Sequence, residues 1–189
     1  MITRNHLMGW AAITLFGSTA LSAQASTSFD AGLSLVAGLP SLTSLTHSSG
    51  LSGFTAEAGY SGKVRNSTVP FRLSVSVNDL PGKEADYVKN DLLGVQVAAD
   101  IYTNIGLSKV SIVTGLSLNA WRWSYQDATQ HVDTRMKGAK MGARFGFDCA
   151  VSQRITATLM LQITELGTDK QSSVAYNPSW LQAGARYRF

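Results

Sequence analysis

The sequence predicts an all-β fold, an eight-stranded antiparallel up-and-down transmembrane β-barrel that follows a cleaved signal peptide. Three observations predict it. The first 25 residues have the layout of a secretory leader. Eight later segments alternate apolar and other residues with a period of two. The chain ends on one of these segments, and its last residue is aromatic, Phe189.

At the front, Arg4 and His6 precede a mostly apolar run from Leu7 to Leu21, and Ala23-Gln24-Ala25 forms an A-x-A cleavage site. Residues 1–25 are therefore expected to be a signal peptide, with Ser26 the first mature residue and 26–189 the barrel domain. The apolar run, about 15 residues, is shorter than the roughly 20 that a spanning helix requires. No later stretch approaches that length. Charged residues make up only 15% of the chain, well below the ~25% usual in soluble domains. A barrel accounts for this, because every second strand residue faces lipid. Cys149 is the only cysteine, so no internal disulfide can form, and it reads as a small apolar residue on the lipid face.

The segments follow in order. The first is expected over Ser28 to Ala37, with Phe29, Ala31, Leu33 and Leu35 on one face. The second spans Leu51 to Ser61, with Phe54, Ala56, Ala58 and Tyr60 in phase. The third, Thr68 to Asn78, sets Val69, Phe71, Leu73, Val75 and Val77 against Pro70, Arg72, Ser74, Ser76 and Asn78. The fourth, Asp91 to Tyr102, carries Leu93, Val95, Val97, Ala99 and Ile101 outward. The fifth, Lys109 to Arg122, carries Val110, Ile112, Leu116 and Leu118 outward, and the sixth, Met136 to Ala150, carries Met141, Phe145, Phe147 and Cys149. The seventh runs from Arg154 to Leu166, and the eighth from Trp180 to Phe189, with Leu181, Ala183, Ala185, Tyr187 and Phe189 on its apolar face. One such segment is a weak signal. Eight in series is the pattern of a membrane barrel.

Connections alternate in length. Four of about a dozen residues (38–50, 79–90, 123–135 and 167–179) are separated by short links near 62–67, 103–108 and 151–153. This is the alternation of long outer loops and short periplasmic turns, and it places both mature termini on the periplasmic side. Trp121, Trp123 and Trp180 fall near one predicted rim, and Tyr60, Tyr187 and Phe189 near the other. Amphipathic rings favour the headgroup level, so Tyr60, Trp121, Trp123 and Trp180 are expected to be interfacial aromatics.

Charges in a membrane segment must turn inward and find partners. The inward face is expected to carry Asp30, Glu57, Arg72, Asp100, Lys140, Arg144, Asp148, Arg186 and Arg188. An eight-stranded barrel is just wide enough for side chains to fill, so mixed charge there predicts an ion-pair network that plugs the lumen. Within that network Glu57 and Arg72 are expected to be cross-strand or diagonal neighbours, and Asp30 and Arg186 likewise. Gly138, Gly142 and Gly146 on the sixth segment are expected to make room for long neighbours such as Arg72 or Arg186.

The terminal strand, with Tyr187 and Phe189 on its apolar face, resembles the C-terminal assembly signal of bacterial outer-membrane barrels. The chain from 26 to 189 resembles the small outer-membrane barrels of the OmpX and OmpA-transmembrane type in architecture. The resemblance implies recognition by the barrel-assembly machinery and periplasmic chaperones, a setting among outer-membrane lipid and lipopolysaccharide, and a structural or surface-interaction role. A narrow pore is the alternative. Some such barrels are lipid A-modifying enzymes with a His and a Ser near the outer rim. His47-Ser48-Ser49 and Gln171-Ser172-Ser173 invite that comparison, but the deacylase His-x-Ser pattern has Gln171 where a base would be needed. No catalytic residue is therefore expected. There is no H-x-x-x-H, C-x-x-C or phosphate-binding glycine loop, so neither a metal nor a cofactor is expected. The acids between Asp79 and Asp91 read as a solvated loop. The pI of 9.3 does not point to nucleic acid, because much of the basic charge falls in the lumen or at turns such as Lys63, Arg65, Lys109 and Arg154. No extracellular partner is named by any motif.

Overall fold

In the computed structural model, residues 27–39, 52–63, 69–85, 88–106, 109–127, 132–164 and 179–189 are described. They form eight strands: β1 (Ser28–Gly38), β2 (Ser52–Lys63), β3 (Pro70–Ala85), β4 (Val88–Asn104), β5 (Val110–Asp127), β6 (Val132–Ala150), β7 (Ile155–Ile163) and β8 (Ser179–Arg188). Each pairs antiparallel with its sequence neighbours, and β8 pairs with β1 to close the barrel. Closure leaves no ladder edge to be satisfied by lipid. The expected signal peptide, 1–25, lies outside the described residues, as do His47, His131 and the Gln171-Ser172-Ser173 segment.

The alternation that defines the strands also decides their faces, because successive side chains point to opposite sides of a sheet. Leu33, Leu35, Leu73, Val97, Leu116, Leu118, Met141 and Phe145 stand exposed on the outside. Such a belt of large apolar side chains is stable only against an apolar solvent. The exposed Cys149 belongs to it. The opposite phase points into the lumen, where the core of this molecule lies.

The strands are unequal. β7 and β8, with 9 and 10 residues, have the length a tilted strand needs to cross a bilayer. β3 to β6 have 16, 17, 18 and 19 residues. The ends near the chain termini are flush, with Asp30 opposite Arg188 and Val110 opposite Cys149, so the extra length lies at the opposite, loop end. Two connections expected to be long are in fact short. β3 runs through the predicted loop to Ala85 and β4 resumes at Val88, while β5 and β6 continue to Asp127 and from Val132. The apolar alternation stops before the strands do, and the backbone ladder continues past it. Asp79 and Asp91 are thus strand residues, half-buried, and not part of a solvated loop.

At the termini end the connections are tight. Gly106 takes φ of 83° between β4 and β5, and its amide donates to Asn104 Oδ1 at 2.9 Å. Only glycine adopts that conformation without strain. Between β6 and β7, Ser152 Oγ accepts from the amides of Arg154 (3.3 Å) and Ile155 (3.0 Å).

The seam between β8 and β1 ends where the Phe189 amide donates to the Phe29 carbonyl at 3.0 Å. Outside the barrel the Phe189 ring packs edge-on to Tyr187, with centroids 5.4 Å apart. Deleting Phe189 removes both contacts at the closing strand. The expected outcome is a lower yield of heat-modifiable, folded barrel on unheated gels. Phe189→Tyr keeps the ring and the backbone bond and should be much milder. An unchanged folded fraction on deletion would refute the role given to this residue.

Candidate functional site

The lumen is built by the inward phase of all eight strands, and it is layered along the barrel axis. Nearest the termini end lies a network of ion pairs. Asp30 on β1, Glu57 on β2, Arg72 on β3, Asp100 on β4, Arg144 and Asp148 on β6 and Arg186 on β8 are all buried. Arg72 reaches two carboxylates. Its Nη2 is 2.5 Å from Asp30 Oδ1, its Nε donates to both Asp30 oxygens at 3.1 Å, and its Nη1 donates to Glu57 Oε2 at 3.3 Å. Arg144 meets Asp100 Oδ2 at 3.4 Å, Glu57 Oε2 at 3.8 Å and the Ser74 hydroxyl at 3.3 Å. Arg186 pairs with Asp148, stands 3.9 Å from Glu57 Oε1 and donates to the Tyr102 hydroxyl at 3.1 Å. Glu57 is the one carboxylate among the described residues that touches all three guanidiniums. Lys140, expected in this network, stands further toward the loop end on β6, half-buried and opposite Asn119. Arg188 is exposed at the mouth.

The register corrects one expectation and agrees with the other. Glu57 lies opposite Ser76, and Arg72 opposite Ser61. The two are therefore neither directly opposed nor diagonal, and their ion pair forms because the long Arg72 side chain reaches across. Asp30 and Arg186 are diagonal (Arg186 faces Gly32 and Arg188 faces Asp30), yet Asp30 gives its oxygens to Arg72 while Arg186 turns to Asp148 and Glu57. The space for these side chains is also supplied elsewhere than expected. A Cβ on Gly59 would lie 2.5–2.6 Å from the Arg72 guanidinium, and one on Gly32 would lie 2.5 Å from Arg186 Cγ. Gly142 and Gly146 instead face Asn119 and Met160, and Gly138 faces the Trp121 ring.

The middle layer consists of amides and hydroxyls. Gln96 Nε2 donates to Asn119 Oδ1 and to Gln162 Oε1, both at 2.8 Å. Gln162 Nε2 donates to Ser117 Oγ at 2.9 Å, and Ser76 Oγ donates to Gln96 Oε1 at 3.1 Å. Strands β3, β4, β5 and β7 are thereby tied across the axis. Sequence reasoning misses this layer, although Gln96, Asn119 and Gln162 occupy the inward phase of strands it assigns. The signal lies in their phase, and a search confined to charged residues passes over it.

The loop-end layer is apolar. Val36, Leu80, Leu92, Trp121, Trp123 and Trp180 form one buried cluster. The three tryptophans are therefore not interfacial aromatics. Trp123 is 1% and Trp180 2% exposed. The physical reason is phase: even positions of β5 and odd positions of β8 point outward, so Trp121, Trp123 and Trp180 must point in. Tyr60 does lie on the outside, its ring 5.3 Å from Phe29 and 6.3 Å from Phe71. With Tyr187 and Phe189 these rings place a group of aromatics on the outer face at the termini end.

Removing one member of a buried ion pair leaves an uncompensated charge, at roughly 3–5 kcal/mol. Glu57→Ala takes one of its two acids from each of three guanidiniums, and Arg72→Ala leaves Asp30 without its arginine while Glu57 keeps Arg144 and Arg186. Each single change is expected to lower the urea midpoint of the refolded barrel. The double variant should be less destabilised than the sum of the two, a coupling that a double-mutant cycle measures. Strict additivity would show that the pair does not act as one unit.

No family profile matches the chain, and no curated protein sequence matches it. Solved structures do. Neisserial surface protein A superposes with a TM-score of 0.56 at 17% identity, over 88% of this chain and 100% of that one. Ail, the attachment invasion locus protein of Yersinia pestis, gives 0.55 at 14% identity, over 86% and 97%. A major outer membrane protein from Thermus thermophilus gives 0.53 at 12% identity, over 87% and 100%. Identities this low carry the fold and nothing finer. The closed ring of eight antiparallel strands, its apolar outer belt and these likenesses together give the chain the fold of the small eight-stranded outer-membrane β-barrels.

Proposed function

We propose that the protein is a small barrel of the bacterial outer membrane with a structural or surface-interaction role in the envelope, and that its lumen is a plug, not a passage. The observation that carries this reading is the layered filling of the lumen. Ion pairs, cross-axis amide bonds and a tryptophan cluster follow one another along the axis, which leaves the outer surfaces and the mouths as the places where the protein can act. Lipid surrounds the belt, and lipopolysaccharide is the neighbour expected at the loop end.

The loop end supports a surface role. Strands rise about 2.5 Å per residue along the membrane normal when tilted by about 40°. The 19 residues of β6 then reach about 48 Å, against an apolar band of about 25 Å. A wall of paired strands from β3 to β6 thus extends beyond the belt on one side of the barrel. Ail, which shares the fold, has been crystallised with the heparin analogue sucrose octasulfate.

Cleavage after Ala25 and periplasmic placement of both mature termini complete the proposal. With the termini inside, the barrel-assembly machinery and periplasmic chaperones would meet the closing strand bearing Tyr187 and Phe189. The runner-up is a narrow pore, favoured by a cavity of about 270 Å³ that enters the lumen at the termini end.

Two measurements test these readings. In a Cys149→Ser background, a Cys at Gln126, at the loop end of β5, should label with a membrane-impermeant maleimide on intact cells, and a Cys at Ser152 should not. Equal labelling in sealed cells would overturn the orientation. Wild-type barrels in planar bilayers should show little steady conductance. A stable, ion-selective channel would put the pore reading first.

A further inference from the structure

The cavity at the termini end has a wall that neither the ion-pair plug nor the outer surface explains. Its inner part is formed by Asp30, Asp148, Arg186 and Tyr102, and its mouth by Lys63, Lys109 and Arg188. The two carboxylates are already committed, Asp30 to Arg72 and Asp148 to Arg186. Among the described residues, none of the three mouth cations meets a carboxylate. They come from different sides of the ring, at the end of β2, just before β5 and at the end of β8.

Phase distinguishes these cations from ordinary headgroup anchors. Lys63 shares the inward phase of Thr55, Glu57 and Gly59, and Arg188 shares that of Gln182 and Arg186. Lys109 shares the phase of Ser111 and Val113. The exposed Arg154, by contrast, donates to the Tyr187 hydroxyl at 3.1 Å on the outer face. The mouth cations therefore converge on the opening of the lumen, and the hydroxyl-bearing Ser28, Ser61, Ser111 and Thr156 line the same cavity. Further in, the ion pairs close the path. The result is a blind pocket with uncompensated positive charge at its entrance and hydroxyl groups in its wall.

We infer that this pocket is a binding site for a small oxyanion of the phosphate class, held by Lys63, Lys109 and Arg188 and reached only from the termini end. Three cations suit a phosphate dianion better than a single carboxylate, since charge-assisted bonds from several donors can share its oxygens. About 270 Å³ is room for a phosphate with a small organic group. The source could be a soluble phosphate monoester, a dianion, or the phosphodiester headgroup of a neighbouring phospholipid, a monoanion, and the phosphoryl oxygens that the cations would hold are common to both.

The test uses the refolded full-length barrel in a phosphate-free maltoside micelle, titrated with inorganic phosphate at constant ionic strength and followed by backbone amide shifts. The inference expects saturable shifts at Ser61, Ser111 and Arg188, and none at Trp123 or Trp180. Replacing the three cations together by glutamine (K63Q, K109Q, R188Q) should weaken binding by about tenfold or more, as loss of several charge-assisted contacts implies. Arg154→Gln should leave it unchanged. Gel heat-modifiability checks that the variants still fold, and because Arg188 lies on the closing strand, Lys63→Gln with Lys109→Gln alone serves as the second variant. Non-saturable shifts, shifts spread evenly over both ends, or equal binding by the neutralised variants would overturn the inference. Repeating the titration by calorimetry in nanodiscs separates the sources. Phosphate binding in maltoside that is lost in both phosphatidylcholine and phosphatidylglycerol nanodiscs identifies the headgroup, and binding that persists in both identifies a soluble phosphate.

Discussion

Glu57 meets three arginines from three different strands, and the architecture of the lumen is arranged around that fact. A carboxylate in the middle of a membrane barrel is tolerable only if its charge is compensated there. Here the compensation comes from Arg72, Arg144 and Arg186, each of which also holds a second acid: Asp30, Asp100 and Asp148 respectively. The network therefore has a hub and three arms, and it ties β1, β2, β3, β4, β6 and β8 together across the axis. The glycines follow from it. Arg72 passes over Gly59 and Arg186 passes over Gly32 so closely that no Cβ would fit without displacing them. Small residues on one strand and long ones on its neighbour are a single packing solution.

The order of the layers has consequences for what the molecule can exchange with its surroundings. Hydrogen-bonded amides and paired charges accept water at their margins. A cluster of Trp121, Trp123, Trp180, Leu80, Leu92 and Val36 does not, because its side chains gain by excluding water. The apolar layer thus lies toward the loop end, and the polar layers lie toward the end that carries the cavity. The same asymmetry places the cavity where it is found. Bulky rings fill one end of the cylinder, while Ser28, Ser61, Ser111 and Thr156 leave the other under-filled.

Much of the fold is legible in the sequence, because period-two alternation is the whole requirement for a strand between lipid and a packed lumen. The eight segments and their faces can be read from residues such as Val69, Phe71, Leu73, Val75 and Val77. The strand ends cannot. The apolar alternation does not run through to the ends of β3 to β6, so nothing in it marks where Ala85 or Asp127 stops. Of the candidate site, the buried acids and arginines are readable from phase and charge alone. Their pairing is not, because an arginine reaches past its register partner. Arg72 and Glu57 meet although their ladder partners are Ser61 and Ser76 and the Gly59–Ser74 pair stands between them. The tryptophans escape for a different reason. An aromatic belt forms only from outward residues, and the phase set by Leu118 and Ala120 puts Trp121 and Trp123 on the opposite face.

The same division explains why solved barrels with under a fifth of their residues in common superpose over almost the whole chain. Lipid asks only that outward positions be apolar, which many sequences satisfy. The lumen asks for a packed and charge-balanced set, and each set is a separate solution whose partners must change together. Such a fold therefore tolerates low identity, in the belt by indifference and in the lumen by coupling. What remains free of both constraints is the small number of inward cations that no lumen acid claims. Among the described residues those at the open mouth are Lys63, Lys109 and Arg188. The four acids and three arginines of the network leave one negative charge, which three further cations more than cancel, so lumen pairing alone does not account for three cations at one opening.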